Sequence, residues 1–290
     1  MTIISLASVR GAPGVTTTAL GLALHWPRPV LLIEADMSAS SAILAGYFGG
    51  QRANDRGLID VAIGHRHGSL AKALQDAQIE IPGSQQARMI AGLAHAEQAS
   101  ALTGAWSAIA TELRALEGEG IDVIVDAGRV GAAYSPEALT NASDVSLLVT
   151  RTTLPAVAAV ASRGKVLKKA TDNGQGPSSL GLLIVGDGQP IDARQIAELT
   201  EIPLVASVPS DPAAAAVLSD GTESNKRWSE TALARSYWDA TQAIQAHVTA
   251  KRAALDGNQV IVLPNEKPTS LRSAVAGLNK RINRGEKVKA

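Results

Sequence analysis

Arg10-Gly11-Ala12-Pro13-Gly14-Val15-Thr16-Thr17 is a Gly/Pro turn placed between an apolar run (Ile3, Ile4, Leu6) and an Ala/Leu-rich run from Ala19 to Leu24. Strand, glycine-rich turn and helix, in that order, is the setting in which backbone N–H groups cradle a phosphate. The helix N-terminus adds its dipole and its free donors to the attraction for an anion. Thr16 falls where a hydroxyl would ligate Mg²⁺. Val15 falls where such a loop carries lysine, so a hydrocarbon stands in place of the ammonium group that would meet the outer phosphates. Residues 11 to 17 (Gly11, Ala12, Pro13, Gly14, Val15, Thr16 and Thr17) are therefore a candidate phosphate cradle that lacks its usual cation.

Two carboxylates close neighbouring apolar runs. Val30 to Asp36 ends in Glu34-Ala-Asp36, and Ile121 to Asp126 ends in Asp126 followed by Ala127-Gly128. Mg²⁺ keeps several waters and takes one or two carboxylates, which makes Thr16 and Asp126 the candidate metal residues. Asp36, in a loop facing the same place, is a candidate to orient an attacking water. The plainer readings are a ligand-free turn at 10–17 and two ordinary strand-end carboxylates. His65 and His67 form the one close histidine pair, in a polar stretch without further ligand candidates.

The elements that must position these residues alternate along the chain. Strands are predicted at 3–8, 30–35, 88–92, 121–126, 144–150, 180–185 and 203–208, and helices at 15–25, 97–117, 154–171, 191–199 and 229–252. Several strand runs are continuously apolar (Val30-Leu-Leu-Ile33, Val123-Ile-Val125), as expected when both faces of a sheet are covered. The order predicts an α/β fold, a doubly wound, mostly parallel sheet with helices on both faces. Ligands of such sheets sit at the carboxyl ends of the strands, where the 10–17 turn would lie. The stretches 50–57 and 172–179 read as polar surface loops. The main domain is predicted to span 1–252, followed by a linker over 253–268 and a basic amphipathic helix and tail over 269–290.

Composition narrows the class. The 290 residues are 46% hydrophobic but only 3% aromatic, so small aliphatic side chains must fill the core. There is no cysteine, which excludes disulfides, thiol catalysis and cysteine-ligated zinc. No run approaches the ~20 apolar residues of a spanning helix, and a cytoplasmic protein is expected, peripheral at a membrane or cell pole if the tail directs it there. Lys+Arg and Asp+Glu are both 27. The balance hides an asymmetry, because Pro264 to Ala290 holds seven basic residues and two acidic ones. Such a tail is an electrostatic address, read three ways: a partner-docking segment, a helix lying on anionic membrane, or a DNA contact.

With those residues in place, the chain resembles the ParA/MinD family of P-loop ATPases, whose deviant loop has the form Lys-Gly-Gly-x-Gly-Lys-Thr-Thr. Arg10 to Thr17 lies over that loop. The resemblance puts Arg10 at the signature lysine that reaches the nucleotide of a dimer partner, and Thr16 at the Mg²⁺ ligand. It puts Asp36 at the catalytic aspartate and Asp126 at the aspartate of the second Walker-type strand. Asp144 to Arg151 is similar to the strand leading away from that site, and Leu204 to Asp211 to the segment closing over the adenine. The departures are Val15, Ala12, and Gly186-Asp187-Gly188 where an asparagine near the base is common. Degenerate loops of this kind resemble the CpaE/TadZ branch, a set of positioning factors for pilus and secretion machines.

The resemblance implies ATP or ADP with Mg²⁺ as cofactors, a homodimer, and protein partners in a secretion, pilus or partition apparatus. Losing one charge-assisted contact to phosphate weakens binding by roughly 10- to 100-fold. Losing a cation where charge develops costs ~10²–10³ in rate, by analogy with lost oxyanion donors. The expectation is a spatial regulator or assembly factor with a degenerate ATP site and weak or no hydrolysis. The alternatives are an active ATPase of DNA partition or protein positioning, and a scaffold that binds no nucleotide.

Overall fold

The apolar runs read as strands are buried along nearly their whole length, from Ile3–Ser8 to Leu180–Val185. The computed structural model describes residues 2–10, 13–37, 40–171, 179–188, 190–223 and 228–256. Within them the strands are β1 (Ile3–Ser8), β2 (Val30–Glu34), β3 (Gln78–Glu80), β4 (Ala87–Ile90), β5 (Asp122–Arg129), β6 (Val145–Arg151), β7 (Leu180–Val185) and β8 (Leu204–Val208). They form one sheet in the order β3-β4-β2-β5-β1-β6-β7-β8. Every pairing is parallel except that of β3 with β4. All seven predicted strands are present. The three-residue β3 escaped the sequence reading because only Ile79 of it is buried.

The helices are α1 (Val15–Leu24), α2 (Ala42–Ala45), α3 (Leu58–Arg66), α4 (Leu70–Asp76), α5 (Trp106–Ala115), α6 (Glu137–Ala142), α7 (Leu154–Thr171), α8 (Ala193–Thr200), α9 (Pro212–Ser219) and α10 (Ala232–Asp256). The predicted helix over 97–117 is instead a 3₁₀ segment (Ala96–Leu102), α5 and a second 3₁₀ turn (Leu116–Glu119). Gly104 sits at the first of these breaks, where helical propensity is lowest. The sequence reading missed α2, α3, α4, α6 and α9. The last of these carried a readable start, since Asp211 accepts the N–H of Ala214 and Pro212 takes the first turn. The last helix runs to Asp256, so the first four residues of the expected linker are helical; the next breaker is Gly257. The remainder of that linker and the basic segment 269–290 lie outside the described residues.

Alternate strand residues feed opposite faces. Ile4, Leu6, Leu32 and Leu147 pack with α1 and α10, while Ile3, Ile33, Val123 and Val125 pack with α3 and α5. Leu148, Leu182 and Ile184 pack with α7 and α8. Tyr237 of α10 lies so close to Gly21 of α1 that a Cβ there would stand 2.4 Å from the ring. The two helices can meet this closely only across a glycine.

Two aspartates pin the edge of the sheet opposite the strand carboxyl ends. Asp122 is fully buried and accepts the Thr2 N–H (2.6 Å) and the Trp26 Nε1–H (2.7 Å), and it pairs with Arg28 at 2.7 Å. Asp144 accepts the Ile3 N–H at 2.8 Å and pairs with Arg114 (2.9 Å) and Arg252 (3.0 Å). Burial works to raise the Asp144 pKa, but the Ile3 N–H and the two guanidiniums outweigh it and hold the carboxyl below its ordinary value. Its stabilisation is therefore complete above the ordinary carboxylate pKa and is lost as pH falls through the depressed one. Asp144→Asn is expected to cost roughly 3 kcal/mol at pH 7. Denaturant melts of the two proteins should converge in acid, and a gap that stays constant from pH 7 to pH 3 would refute the assignment.

Candidate functional site

The turn after β1 is set by Gly14, whose φ of 97° lies in the left-handed region that favours glycine. It lets the chain reverse into α1 with the first helical N–H groups facing outward. The first intrahelical bond is donated by Thr18 N–H to the Gly14 carbonyl at 2.9 Å. The N–H groups ahead of it have no partner inside the helix, and α1 has no acidic residue in its first turn and no side-chain cap. The preconditions for an anion cradle are present.

Val15 is 7% exposed and belongs to the core that α1 shares with the sheet. Its side chain is thus part of the floor beneath the cradle. The cradle opens on a cavity of about 680 Å³. One wall is Pro13 to Thr18 with Ser8. The strand ends contribute Gly128, Arg129, Arg151 and Val185. The segment Val208 to Pro212 forms the far wall, and Ser219 of α9 with Leu233 and Tyr237 of α10 completes the enclosure. The volume suits a drug-sized or nucleotide-sized ligand. Asp36 lines the same cavity.

Asp126 is fully buried within β5, in register with Leu6 and Glu34. Its Oδ1 accepts the Gly128 N–H at 3.0 Å, and among the described residues its Oδ2 has no hydrogen-bond partner. Burial pushes its pKa up to about 7, against the Thr16 hydroxyl and the Gly128 N–H, with the negative charges of Glu34 and Asp36 adding to the rise. Glu34 is its register partner on β2. Gly128 has a φ of 63°, and a Cβ there would stand 2.4 Å from the Asp36 carboxyl carbon. Only glycine lets Asp36 come down onto the turn that follows Asp126. An orphaned buried oxygen among three carboxyls, with a threonine hydroxyl beside it, fits a hydrated Mg²⁺. Beside it, Thr16, Asp36, Glu34 and Ser41 line a recess of about 30 Å³, room for about one water.

The other candidates fall into place unevenly. Glu34, the first carboxylate of the Glu34-Ala-Asp36 pattern, is consumed by the scaffold. It accepts the Ser41 hydroxyl and the N–H groups of Ala42 (2.7 Å), Ile43 (3.1 Å) and Gly92 (3.0 Å). Burial still raises its pKa in spite of those donors. Pro13, Gly14, Val15, Thr16, Thr17 and Asp36 share the cavity, and Asp126 sits behind it. Arg10 is exposed and is not a lining residue of the cavity. Gly11 and Ala12 lie outside the described residues. Asp187, at the position where an asparagine was sought, accepts the Ala193 N–H at 2.7 Å and so holds the start of α8. Sequence reasoning assigned no role to Arg129 and Arg151, although each closes an apolar strand. Tyr237 and Leu233 carried no local signal, because a helix more than 200 residues downstream brings them in.

Asp126 makes a pH test available. Its folded pKa of about 7 stands above the ordinary 3.8, so the folded chain binds more protons between those values and the group costs stability as pH rises through them. The cost above pH 8 is on the order of 4 kcal/mol. In the ligand-free protein, Asp126→Asn should melt higher than the parent at pH 8, with the difference vanishing by pH 4. Equal melting temperatures at pH 8 would show that the carboxylate is not strained.

No family model and no curated protein sequence matches the chain. Solved structures do. The cell division ATPase MinD of Pyrococcus furiosus superposes with a TM-score of 0.67 at 21% identity, over 85% of this chain and 99% of that one. The ParA family ATPase of Chlorobium tepidum gives 0.62 at 17% identity, over 83% and 98%. Apo McdA of Cyanthece gives 0.54 at 15% identity, over 89% and 97%. The eight-stranded, mostly parallel sheet with helices on both faces is the fold of the MinD and ParA P-loop ATPases.

Proposed function

We propose that the chain is a spatial regulator or assembly factor of MinD/ParA type whose ATP site is degenerate. It binds Mg-ATP or Mg-ADP weakly and hydrolyses it slowly or not at all. The observation that carries this reading is the buried Val15 beneath an open cradle. The first turn of α1 keeps its free N–H groups and its cavity, while the position that should hold an ammonium group is packed into the core. Two neighbours support the ligand class: MinD of Pyrococcus horikoshii was solved with Mg-ADP, and a plasmid partition protein of Borrelia burgdorferi with AMPPNP.

In this reading Pro13 to Thr17 receive the phosphates, and Thr16 and Asp126 hold the hydrated Mg²⁺. The metal, when bound, neutralises phosphate charge. Asp36 places a carboxylate at the same end of the cavity to orient water. Val208 to Asp211 line the side where a base would lie. The nucleotide-bound form favours one assembly state, a homodimer, and Arg10 is free to reach a partner subunit. The apparatus served is a pilus or secretion machine, as in the CpaE/TadZ branch, or a partition system. MinD of Aquifex aeolicus was solved in complex with MinC, an example of a neighbour that assembles with a second protein. No described helix is long and apolar enough to cross a membrane, and polar or membrane placement would be peripheral.

Calorimetric titration with Mg-ATP, run beside a phosphate-release assay, tests the reading. Weak binding with little or no turnover is expected, and turnover matching a lysine-bearing MinD or ParA protein would reject it. Val15→Lys should tighten Mg-ATP by roughly 10- to 100-fold, at a stability cost of about 1–3 kcal/mol for disturbing a packed position. If neither the parent nor Val15→Lys binds nucleotide, the chain is a nucleotide-free scaffold.

A further inference from the structure

We infer that Arg129 and Arg151 are the phosphate-binding cations of the cleft, gripping the outer phosphates of a nucleoside di- or triphosphate in place of the lysine displaced by Val15. The inference rests on the nucleotide-site reading above and adds to it the source of the positive charge.

The topology places these two side chains on either side of the loop. The loop springs from β1, and the two strands hydrogen-bonded to β1 are β5 and β6. The first of these ends at Arg129, in register with Ser8, and the second ends at Arg151. Both arginines line the 680 Å³ cavity together with Gly14, Thr16 and Thr17. The loop is therefore bracketed by one guanidinium from each neighbouring strand.

Both side chains are exposed, and among the described residues neither makes an ion pair or a side-chain hydrogen bond. Among the described residues, the carboxylates that line the same cavity, Asp36, Asp211 and Asp220, make no ion pair with either arginine. Asp211 accepts the Ala214 N–H at 3.0 Å, Asp220 accepts the Ser219 hydroxyl at 3.1 Å, and the Asp36 carboxyl lies against Gly128. Two guanidiniums that line one cleft and are tied to no carboxylate have their donors open to an incoming anion. A guanidinium stays charged at any working pH, and its fork of donors matches phosphate oxygens in pairs. Opposite them, the free N–H groups of the first turn of α1 supply the remaining donors. Arg10 does not compete for this role within one chain, because it is not in the cavity lining.

The test is calorimetry on the full chain with three probes, Mg-ADP, inorganic tripolyphosphate and adenosine, across the parent, Arg129→Gln, Arg151→Gln and the double variant. Each single change should weaken Mg-ADP and tripolyphosphate by roughly 10- to 100-fold. Adenosine affinity should not move, and the exposed positions should leave the melting temperature unchanged. Arg129→Lys and Arg151→Lys should keep part of the affinity, since charge survives while the fork is lost. If the parent binds Mg-ADP and the glutamine variants bind it equally, the arginines are rim residues and the inference falls while the nucleotide reading stands. An equal loss for adenosine would reveal a structural effect and overturn it as well. A parent that binds none of the probes overturns both.

Discussion

A buried carboxylate has to be neutralised, and the carboxyl ends of this sheet are organised around one that is not. Asp126 has given up all solvent and receives one backbone N–H on one of its two oxygens. Its register partner Glu34 is buried beside it. The scaffold meets Glu34 with four donors, three of them backbone N–H groups, and leaves Asp126 Oδ2 with none. A proton or a metal must supply the difference. Burial, with the charges of Glu34 and Asp36, accordingly pushes the acid's pKa up to about 7. The surroundings follow from the same constraint. Gly128 is bare so that Asp36 can approach, and Thr16 stands at the first turn of α1 within reach of the carboxyl.

Two carboxyls, Glu34 and Asp126, are buried beneath the sheet's carboxyl edge, while the cavity above is lined by Arg129 and Arg151 together with the carboxylates of Asp36, Asp211 and Asp220. A loop lysine would have joined the two levels. With valine there, a buried hydrocarbon takes that place, and on the proposed reading a metal held by Thr16 and Asp126 would work below while Arg129 and Arg151 would act from the sides. On the proposed reading this arrangement would favour holding a polyanion over transforming it, because side-on cations at an open rim are less well placed to follow charge as it moves in a reaction.

The sheet was legible in the chain because burial on both faces writes strands as mostly apolar runs, their burial unbroken up to the last residue in β1, β2, β5, β6 and β7 and interrupted by Arg88 in β4 and Ser207 in β8. The cradle and its two carboxylates were legible because glycine, threonine and aspartate at strand ends carry local meaning. Helices such as α3, α4 and α6 were not, since short segments with mixed faces acquire their helicity from tertiary packing. The cleft's other walls were illegible for a different reason. Tyr237 and Leu233 belong to the site only through the way α10 folds back across α1. Arg129 and Arg151 could have been noticed as charged residues closing buried strands, a signal that an aspartate-centred search passes over.

That last helix has a mechanical consequence. Its 25 residues make a rod about 37 Å long. Near its start Tyr237 rests on Gly21 and roofs the cleft, and near its end Lys251 and Arg252 are tied to Asp144 at the opposite pole of the sheet. Between those two points Ala240, Thr241, Ile244 and Val248 are buried as well, so the cover over the cavity and the clamp on Asp144 belong to one continuously packed element.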